Sequence, residues 1–163
     1  MIWLVMGVTG CGKTTLGKAL AGRLKIPFHD ADDFHPPSNR AKLLRDEPLT
    51  DADRRPWLEG LAGKMPDWEK AGGAVLACSA LKESYRQILR SSSAPMRVVW
   101  VEITPEQAAE RLVARKHDLV GKFDKILKGQ FADLEVPKAG VTVPAALPTD
   151  QQVEKVLAGR NSD

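Results

Sequence analysis

The sequence has few cysteines, few aromatic residues and no long hydrophobic run. Its 163 residues include two cysteines, Cys11 and Cys78, too few for a disulfide framework or a cysteine metal site, and this predicts a reducing compartment, the cytoplasm. No apolar stretch approaches the roughly 20 residues that span a bilayer. The apolar run at residues 2–6 is also too short for the core of a signal peptide. We therefore expect no membrane partner.

An excess of charge of one sign is missing as well. The chain has 24 lysines and arginines against 21 aspartates and glutamates, a formal net charge of +3. Nucleic-acid-binding domains usually carry a pronounced basic face, so this balance predicts no nucleic-acid partner and leaves room only for local anion sites. The length predicts one domain that spans residues 1–163.

A glycine-rich loop follows the first apolar run. Residues 7–14 read G-V-T-G-C-G-K-T, with a predicted strand before them and a helical pattern after them. In this context the loop backbone and the helix N-terminus cradle a triphosphate, Lys13 reaches the β- and γ-phosphates, and the Thr14 hydroxyl ligates Mg²⁺. The alternative is an ordinary glycine turn, with Cys11 as either an activated thiol or a small filler. The predicted nucleotide-binding residues are Gly7, Val8, Thr9, Gly10, Cys11, Gly12, Lys13, Thr14 and Thr15.

Short apolar runs alternate with helical patterns along the chain. Continuous apolar strands between helices indicate a parallel sheet that is covered on both faces. We therefore predict an α/β fold, a three-layer α/β/α arrangement with a parallel sheet of about five strands. The predicted strands are 2–6, 26–29, 74–78, 98–103 and 141–143.

The segment from residue 36 to residue 73 has no strand signal. It is too long for a strand-to-helix connection of about 2–6 residues, so it predicts an inserted helical region that binds the substrate. One helix is expected at 38–45, and a second should begin at Thr50 and end or kink at Pro66. A further helix should begin at the capping box of residues 104–107 and run to about Lys116.

The second strand ends in acidic residues. Along a strand, Asp30 and Asp32 would point the same way, and the carboxyl end of a parallel strand faces the ligand crevice. Phosphoryl transfer to an alcohol needs one carboxylate near the metal and a second near the incoming hydroxyl. The alternative is a polar turn with a helix cap at Asp32 or Asp33. His35 is a candidate substrate contact or a turn donor.

Basic residues recur beside the predicted crevice. Lys82 and Arg86 lie four residues apart at the start of a predicted helix, and Arg54 and Arg55 begin another. Cations that project together suit a small anionic acceptor, whereas the alternative for each pair is a solvated helical face.

A third basic group precedes a segment rich in glycine and lysine. Arg111 and Arg115 are again four residues apart, and arginines on a segment that closes over a nucleotide neutralise the charge on the transferred phosphoryl group. We therefore predict a lid at about 116–135. The chain has no Asn-Lys-x-Asp tetrapeptide of guanine-reading proteins, which favours a metabolic kinase over a GTPase switch.

Five ordered motifs, spread over nearly the whole chain, resemble those of the gluconokinase family. They are the loop at 7–14, D-A-D-D-F-H-P-P-S-N-R-A-K at 30–42, P-L-T-D-A-D-R-R-P-W-L at 48–58, A-C-S-A-L-K-E-S-Y-R at 77–86, and R-L-V-A-R-K with G-Q-F-A-D-L-E within 111–135. Five motifs in order are far more specific than a phosphate loop alone, which many NTPases share.

The resemblance implies ATP-dependent phosphorylation of D-gluconate at its C6 alcohol, on the fold of nucleoside-monophosphate and shikimate kinases. Asp32 would face the acceptor hydroxyl, and Thr14 and Asp30 would hold Mg²⁺. Lys13, Asp32 and Arg115 would be catalytic, Arg111 would contact the nucleotide, and His35, Asp32, Arg54, Lys82 and Arg86 would contact gluconate. The family is commonly dimeric, so a homodimer is also expected.

The chain departs from the family pattern in the lid and near the last strand. The usual histidine-phenylalanine pair is replaced by a longer stretch at 117–124, and an acidic position is replaced by V-T-V-P at 141–144. Two alternatives remain open. A shikimate-type or other small-molecule kinase would carry a glycine-rich turn at 79–81, and a module that binds ATP without transferring it would not need the pair Asp30 and Asp32.

Overall fold

A computed structural model describes residues 1–115 and 120–161, and the side chains of 1–115 and 124–160. The described residues form five strands, seven α-helices and two short 3₁₀ turns. In chain order these are β1 Ile2–Met6, α1 Lys13–Leu24, β2 Phe28–Asp30, a 3₁₀ turn Ala31–Phe34, α2 Pro37–Leu44, α3 Asp51–Lys70, β3 Ala74–Ala77, α4 Glu83–Arg90, β4 Met96–Glu102, α5 Pro105–Arg115, α6 Val120–Asp133, β5 Val141–Pro144, α7 Thr149–Ala158 and a 3₁₀ turn Gly159–Asn161. In these ranges, no helix has the length and apolar character needed to cross a membrane.

All five strands run parallel in one sheet, in the order β2-β3-β1-β4-β5. The central strand is β1, where Leu4 pairs with Leu76 of β3 and with Val98 of β4. Every residue of β1 is buried, which explains why this strand is apolar throughout instead of alternating with polar residues. The predicted parallel sheet is confirmed, although β2 begins at Phe28 rather than at residue 26.

Helices cover both faces of the sheet. On one face, Trp3 and Val5 of β1 pack with α1, α5 and α7, whose buried residues include Leu16, Leu112 and Val153. On the other face, the alternate residues of β1 pack with α3 and α4 through Leu58, Leu61, Met65 and Leu89. Because successive side chains of a strand point to opposite faces, this one strand joins the two halves of the core. The predicted three-layer α/β/α arrangement is confirmed.

The region at 36–73 contains α2 and α3, as predicted, and its role in binding the substrate stays a prediction. The Thr50 side chain accepts a hydrogen bond from the N–H of Asp53, and the Asp53 carboxylate accepts one from the N–H of Thr50, which is a complete capping box. Of the two outcomes predicted for Pro66, an end or a kink of the helix, the end is wrong, because α3 continues to Lys70. Proline costs a helix about 3 kcal/mol, and the burial of Leu61 and Met65 against the sheet offsets that cost.

The helix that was predicted to start at residues 104–107 is α5. Thr104 and Gln107 exchange two hydrogen bonds between side chain and backbone, and Pro105 occupies the first helical position. In the described ranges α5 ends at Arg115. The predicted lid at 116–135 lies partly outside the described residues, since 116–119 are not described, and α6 forms most of the rest.

Candidate functional site

The glycine-rich loop joins β1 to α1. Gly10 and Gly12 have φ values of 84° and 100°, in the left-handed region that favours glycine. Gly12 is also the residue that caps α1, and no side chain caps this helix. The first N–H groups of α1 therefore remain available to an anion.

Lys13 lies folded over this loop. Its ammonium donates hydrogen bonds to the carbonyl oxygens of Gly7 at 2.9 Å and of Val8 at 3.1 Å. Both acceptors are neutral backbone carbonyl groups, which do not offset the charge of the ammonium group. Such a cation, held by exchangeable contacts, is suited to bind a phosphate that enters the loop.

A cavity of about 260 Å³ lies in front of the loop, at the carboxyl ends of β1, β2 and β3. It brings together the predicted groups for phosphate, metal and catalysis with the end of β3. Its lining residues are Thr9, Gly10, Gly12, Lys13, Thr14, Thr15, Asp30, Asp32, Ala77, Cys78, Ser79, Arg115 and Gln130. This is the crevice position where parallel α/β sheets bind their ligands.

The two carboxylates reach the cavity in a different way from the one predicted. β2 ends at Asp30, and Asp32 lies in the following 3₁₀ turn, so the two residues do not share one face of a strand. Asp30 caps that turn by accepting a hydrogen bond from the N–H of Asp32 at 3.0 Å. The cap is thus Asp30, and not Asp32 or Asp33. Partial burial raises the pKa of the Asp30 carboxyl, with the neighbouring charge of Asp32 acting in the same direction.

His35 faces Asp32 from the inner side. Its ring is stacked on Trp57, with ring centroids 4.1 Å apart, and only 7% of the side chain is exposed. The Asn39 amide lies 3.3 Å from Nδ1 and can donate to it, which leaves the proton on Nε2, 3.7 Å from the Asp32 carboxylate. This contact lowers the pKa of the Asp32 carboxyl, and the charge of Lys13 acts in the same direction. The arrangement favours a role for His35 in positioning Asp32, and direct contact with a substrate stays a prediction.

Arg54 and Lys82 come together across two helices. Lys82 donates to the Asp51 carboxylate at 3.2 Å, Arg54 lies 3.9 Å from the same carboxylate, and Arg54 also donates to the Tyr85 hydroxyl at 3.2 Å. The Tyr85 hydroxyl in turn donates to Asp51. This group of four side chains, which we call the cation cluster, joins the first turn of α3 to the start of α4. Arg55, by contrast, is 68% exposed and pairs with Glu59.

Arg86 does not face the crevice with Lys82. Its side chain is fully buried, and it donates to the carbonyl oxygens of Ala80, Leu81 and Glu135 and to the Glu83 carboxylate. A guanidinium with these partners is already satisfied. The expected contact of Arg86 with the substrate is therefore not supported. Its physical role is to tie the turn after β3 to the end of α6.

The two arginines of α5 also differ. Arg115 lines the cavity, whereas Arg111 holds the loop from outside it, donating to the carbonyl oxygens of Cys11 at 3.2 Å and Ala145 at 2.7 Å. Cys11 is buried, and this burial raises the pKa of its thiol. The structure thus supports a filling role for Cys11 rather than that of an activated thiol.

Several residues of the site were not identified from the sequence. They are Asn39 and Trp57, which hold His35, Asp51 and Tyr85 in the cation cluster, and Gln130 in the cavity. All five lie within motifs that distinguish the chain from other phosphate-loop proteins, but no spacing rule indicated what they contact. Their partners are 4 to 121 residues away along the chain.

Comparisons with known proteins agree with this geometry. Residues 9–127 match the shikimate kinase family. A gluconokinase from Gluconobacter oxydans (strain 621H) is 44% identical over 135 residues, which cover 82% of this chain and 75% of that protein. The thermoresistant gluconokinase of Escherichia coli (strain K12) is 36% identical over 162 residues, or 96% of this chain and 89% of that protein. The crystal structure of a gluconokinase from Sinorhizobium meliloti 1021 matches with a TM-score of 0.84 and 35% identity, covering 96% of this chain and 89% of that one.

Proposed function

The chain belongs to the shikimate kinase family and, within it, to the gluconokinases, and we propose that it transfers the γ-phosphoryl group of ATP to the C6 hydroxyl of D-gluconate. The products are 6-phospho-D-gluconate and ADP. The observation that carries this proposal is the single cavity that joins the phosphate loop to Asp30, Asp32 and Arg115. A nucleotide in the loop would present its terminal phosphate to a hydroxyl beside Asp32, as transfer to an alcohol requires.

Mg²⁺ fits the oxygen ligands on one side of this cavity. Thr14 and Asp30 both line it, next to Lys13. Mg²⁺ commonly takes one or two protein oxygens and completes its shell with phosphate oxygens and water. Among the described side chains, no group of three histidine, cysteine, aspartate or glutamate residues could hold a metal by itself, which is consistent with an ion that arrives with the nucleotide. When bound, the ion supplies positive charge to the β- and γ-phosphates.

The residues of the chain divide the remaining chemistry between them. Lys13 stabilises the negative charge that builds on the transferred group, and Asp32 orients the acceptor hydroxyl and takes its proton. An aspartate with an ordinary pKa is ionised at neutral pH, and the contact with His35 lowers the pKa of Asp32 further. Arg115, at the end of α5, adds positive charge from the side of the lid.

The cation cluster is our proposed site for the gluconate carboxylate. Arg54 and Lys82 each have 28% of the side chain exposed, enough to be reached by a ligand. In the structure Arg54 and Lys82 both contact the Asp51 carboxylate, which supports the proposal because a substrate carboxylate can use the same geometry. A substrate carboxylate would share or replace these contacts.

A coupled assay of ADP release tests the proposal. The protein is given ATP and Mg²⁺ with gluconate, shikimate, glucose or a nucleoside monophosphate, and we expect turnover with gluconate well above all others. Turnover only with shikimate or another acceptor would favour the alternative small-molecule kinase. ATP binding without turnover on any acceptor would indicate a nucleotide-binding module.

The setting of the reaction is also a proposal. We infer a cytoplasmic enzyme, since Cys11 and Cys78 are both free thiols. The homodimer that the family resemblance implies stays a prediction, and sedimentation equilibrium of the purified chain would measure it.

A further inference from the structure

Gln130 of α6 contacts the phosphate loop through both ends of its carboxamide. Its Oε1 accepts a hydrogen bond from the N–H of Thr9 at 2.6 Å, and its Nε2 donates to Thr9 Oγ1 at 2.9 Å. The two residues are 121 positions apart in the chain. Because both bonds end on one residue, they fix the orientation of its peptide N–H and of its hydroxyl together.

Thr9 lies in a part of the loop that belongs to no helix or strand. Gly7 and Gly10, on either side of it, have φ values of 152° and 84°. Within the loop, the N–H of Cys11 donates a hydrogen bond to the carbonyl oxygen of Val8. The N–H of Thr9 instead donates to the side chain of Gln130, outside the loop. The conformation of the loop at Thr9 therefore depends on a contact from another element.

Gln130 and Thr9 both line the cavity at the phosphate loop. Arg111 of α5 also forms hydrogen bonds with the loop, but it donates to the carbonyl oxygens of Gly10 and Cys11. It is not part of the cavity lining. The contact on the cavity side is thus made by a neutral carboxamide, and the contact on the outer side by a cation. A neutral group next to the phosphate site supplies hydrogen bonds without adding repulsion.

We propose that Gln130 is a positioning residue of the nucleotide site, which holds Thr9 so that the loop is ordered for the triphosphate. This inference rests on the proposed use of ATP. Binding of the phosphates then depends on α6, the helix that carries most of the predicted lid. The role requires a side chain that donates, accepts and carries no charge.

Binding of a nonhydrolysable ATP analogue, measured by calorimetry with Mg²⁺ present, tests this role separately from turnover. For Gln130→Ala we expect the Kd of the analogue to rise about five- to twentyfold, from the loss of two hydrogen bonds. Gln130→Glu keeps the size and one acceptor but adds a negative charge at the cavity, so its Kd should rise further than that of Gln130→Ala. In ADP-release assays the KM for ATP should rise in both variants, while the KM for gluconate stays within about twofold.

A double-mutant cycle isolates the contact. Thr9→Val removes the hydroxyl, and we expect its effect on analogue binding to be clearly smaller in the Gln130→Ala background than in the unchanged protein. Lys128→Ala is the matched control, because Lys128 lies on α6 with 79% of its side chain exposed, and it should leave binding unchanged.

Three results would overturn the inference. They are unchanged analogue binding in Gln130→Ala, a Gln130→Glu variant that binds as well as the unchanged protein, or equal losses in both KM values together with a lower melting temperature, as expected of a purely structural contact. If Gln130→Ala does not fold, the isosteric Glu variant decides. If the unchanged protein fails to bind the analogue at all, it is the proposed function that fails.

Discussion

The nucleotide side and the acceptor side of the site are built in different ways. On the nucleotide side, one continuous segment at 7–14 forms the loop, its Val8 and Cys11 side chains are buried in the core, and backbone groups provide most of the binding surface. On the acceptor side, the cation cluster is assembled from side chains of α3 and α4 that remain partly exposed.

This difference indicates how the two recognition tasks are separated. A phosphate group is common to many substrates, and a loop of backbone N–H groups in a rigid frame recognises it. In our proposal the acceptor is recognised by side chains at the surface of two helices, which can change without disturbing the core. Substitutions on the nucleotide side should therefore affect phosphoryl transfer itself, whereas those on the acceptor side should affect the binding of one substrate.

Asp32, between the two sides, should show the largest effect. We expect Asp32→Asn to lower kcat by about 10³-fold while the binding of an ATP analogue is kept, because the amide cannot accept the proton of the hydroxyl. Steady-state kinetics and calorimetry measure the two quantities. An active Asp32→Asn variant beside an inactive Asp30→Asn variant would mean that the two carboxylates have exchanged roles.

Lys13 comes next in size. Replacing Lys13 by Ala removes a charge that acts most strongly when negative charge builds on the phosphates, so kcat should fall by about 10²-fold and more than KM for either substrate changes. Arg23→Ala, which removes a cation of the same helix that is 56% exposed and pairs with Glu154, is the control. A near-normal kcat in Lys13→Ala would refute the assignment of the loop.

Arg54 probes the acceptor side by itself. We expect Arg54→Ala to raise the KM for gluconate by about tenfold to a hundredfold, the range for loss of a hydrogen bond to a charged group, with the KM for ATP unchanged. Arg55→Ala is the matched control, because Arg55 is the next residue and pairs with Glu59 on the exposed side of α3. Similar kinetics for the two variants would place gluconate somewhere other than the cation cluster.

The smallest expected effect concerns stability at the acceptor side. Lys42 and the N–H of Thr50 hold the pKa of Asp53 at about 2, below its model-compound value of 3.8. A lowered pKa in the folded state stabilises the protein above pH 3.8, and this stabilisation is lost as the pH falls toward 2. In urea unfolding, the stability difference between the unchanged protein and Asp53→Asn should narrow over that range, while it should stay constant for Asp67→Asn, an exposed position on α3. A stability difference that stays constant with pH for both variants would show that Asp53 does not contribute to the pH dependence of stability.

Local patterns predicted most of the fold. The apolar run of β1, the helix starts at Thr50 and Thr104 and the glycine loop each depend on residues within a few positions of one another, and all were found where predicted. Pro66 shows the limit of such patterns. A proline tends to end or kink a helix, but α3 continues past Pro66 to Lys70 because the helix packs on the sheet.

The same distinction between local patterns and tertiary packing applies to the site. The sequence by itself determined where the phosphate loop lies, because eight consecutive residues carry its pattern, and it determined that Asp30 and Asp32 reach the crevice, because the carboxyl ends of parallel strands meet there. Only the tertiary structure decided that Arg86 is buried while Lys82 is accessible, that His35 faces Asp32, and that Gln130 contacts Thr9. Each of these outcomes depends on which distant element supplies the partner of a polar side chain. The partner is set only in the packed structure, where buried polar groups must form hydrogen bonds, and no local sequence pattern indicates it.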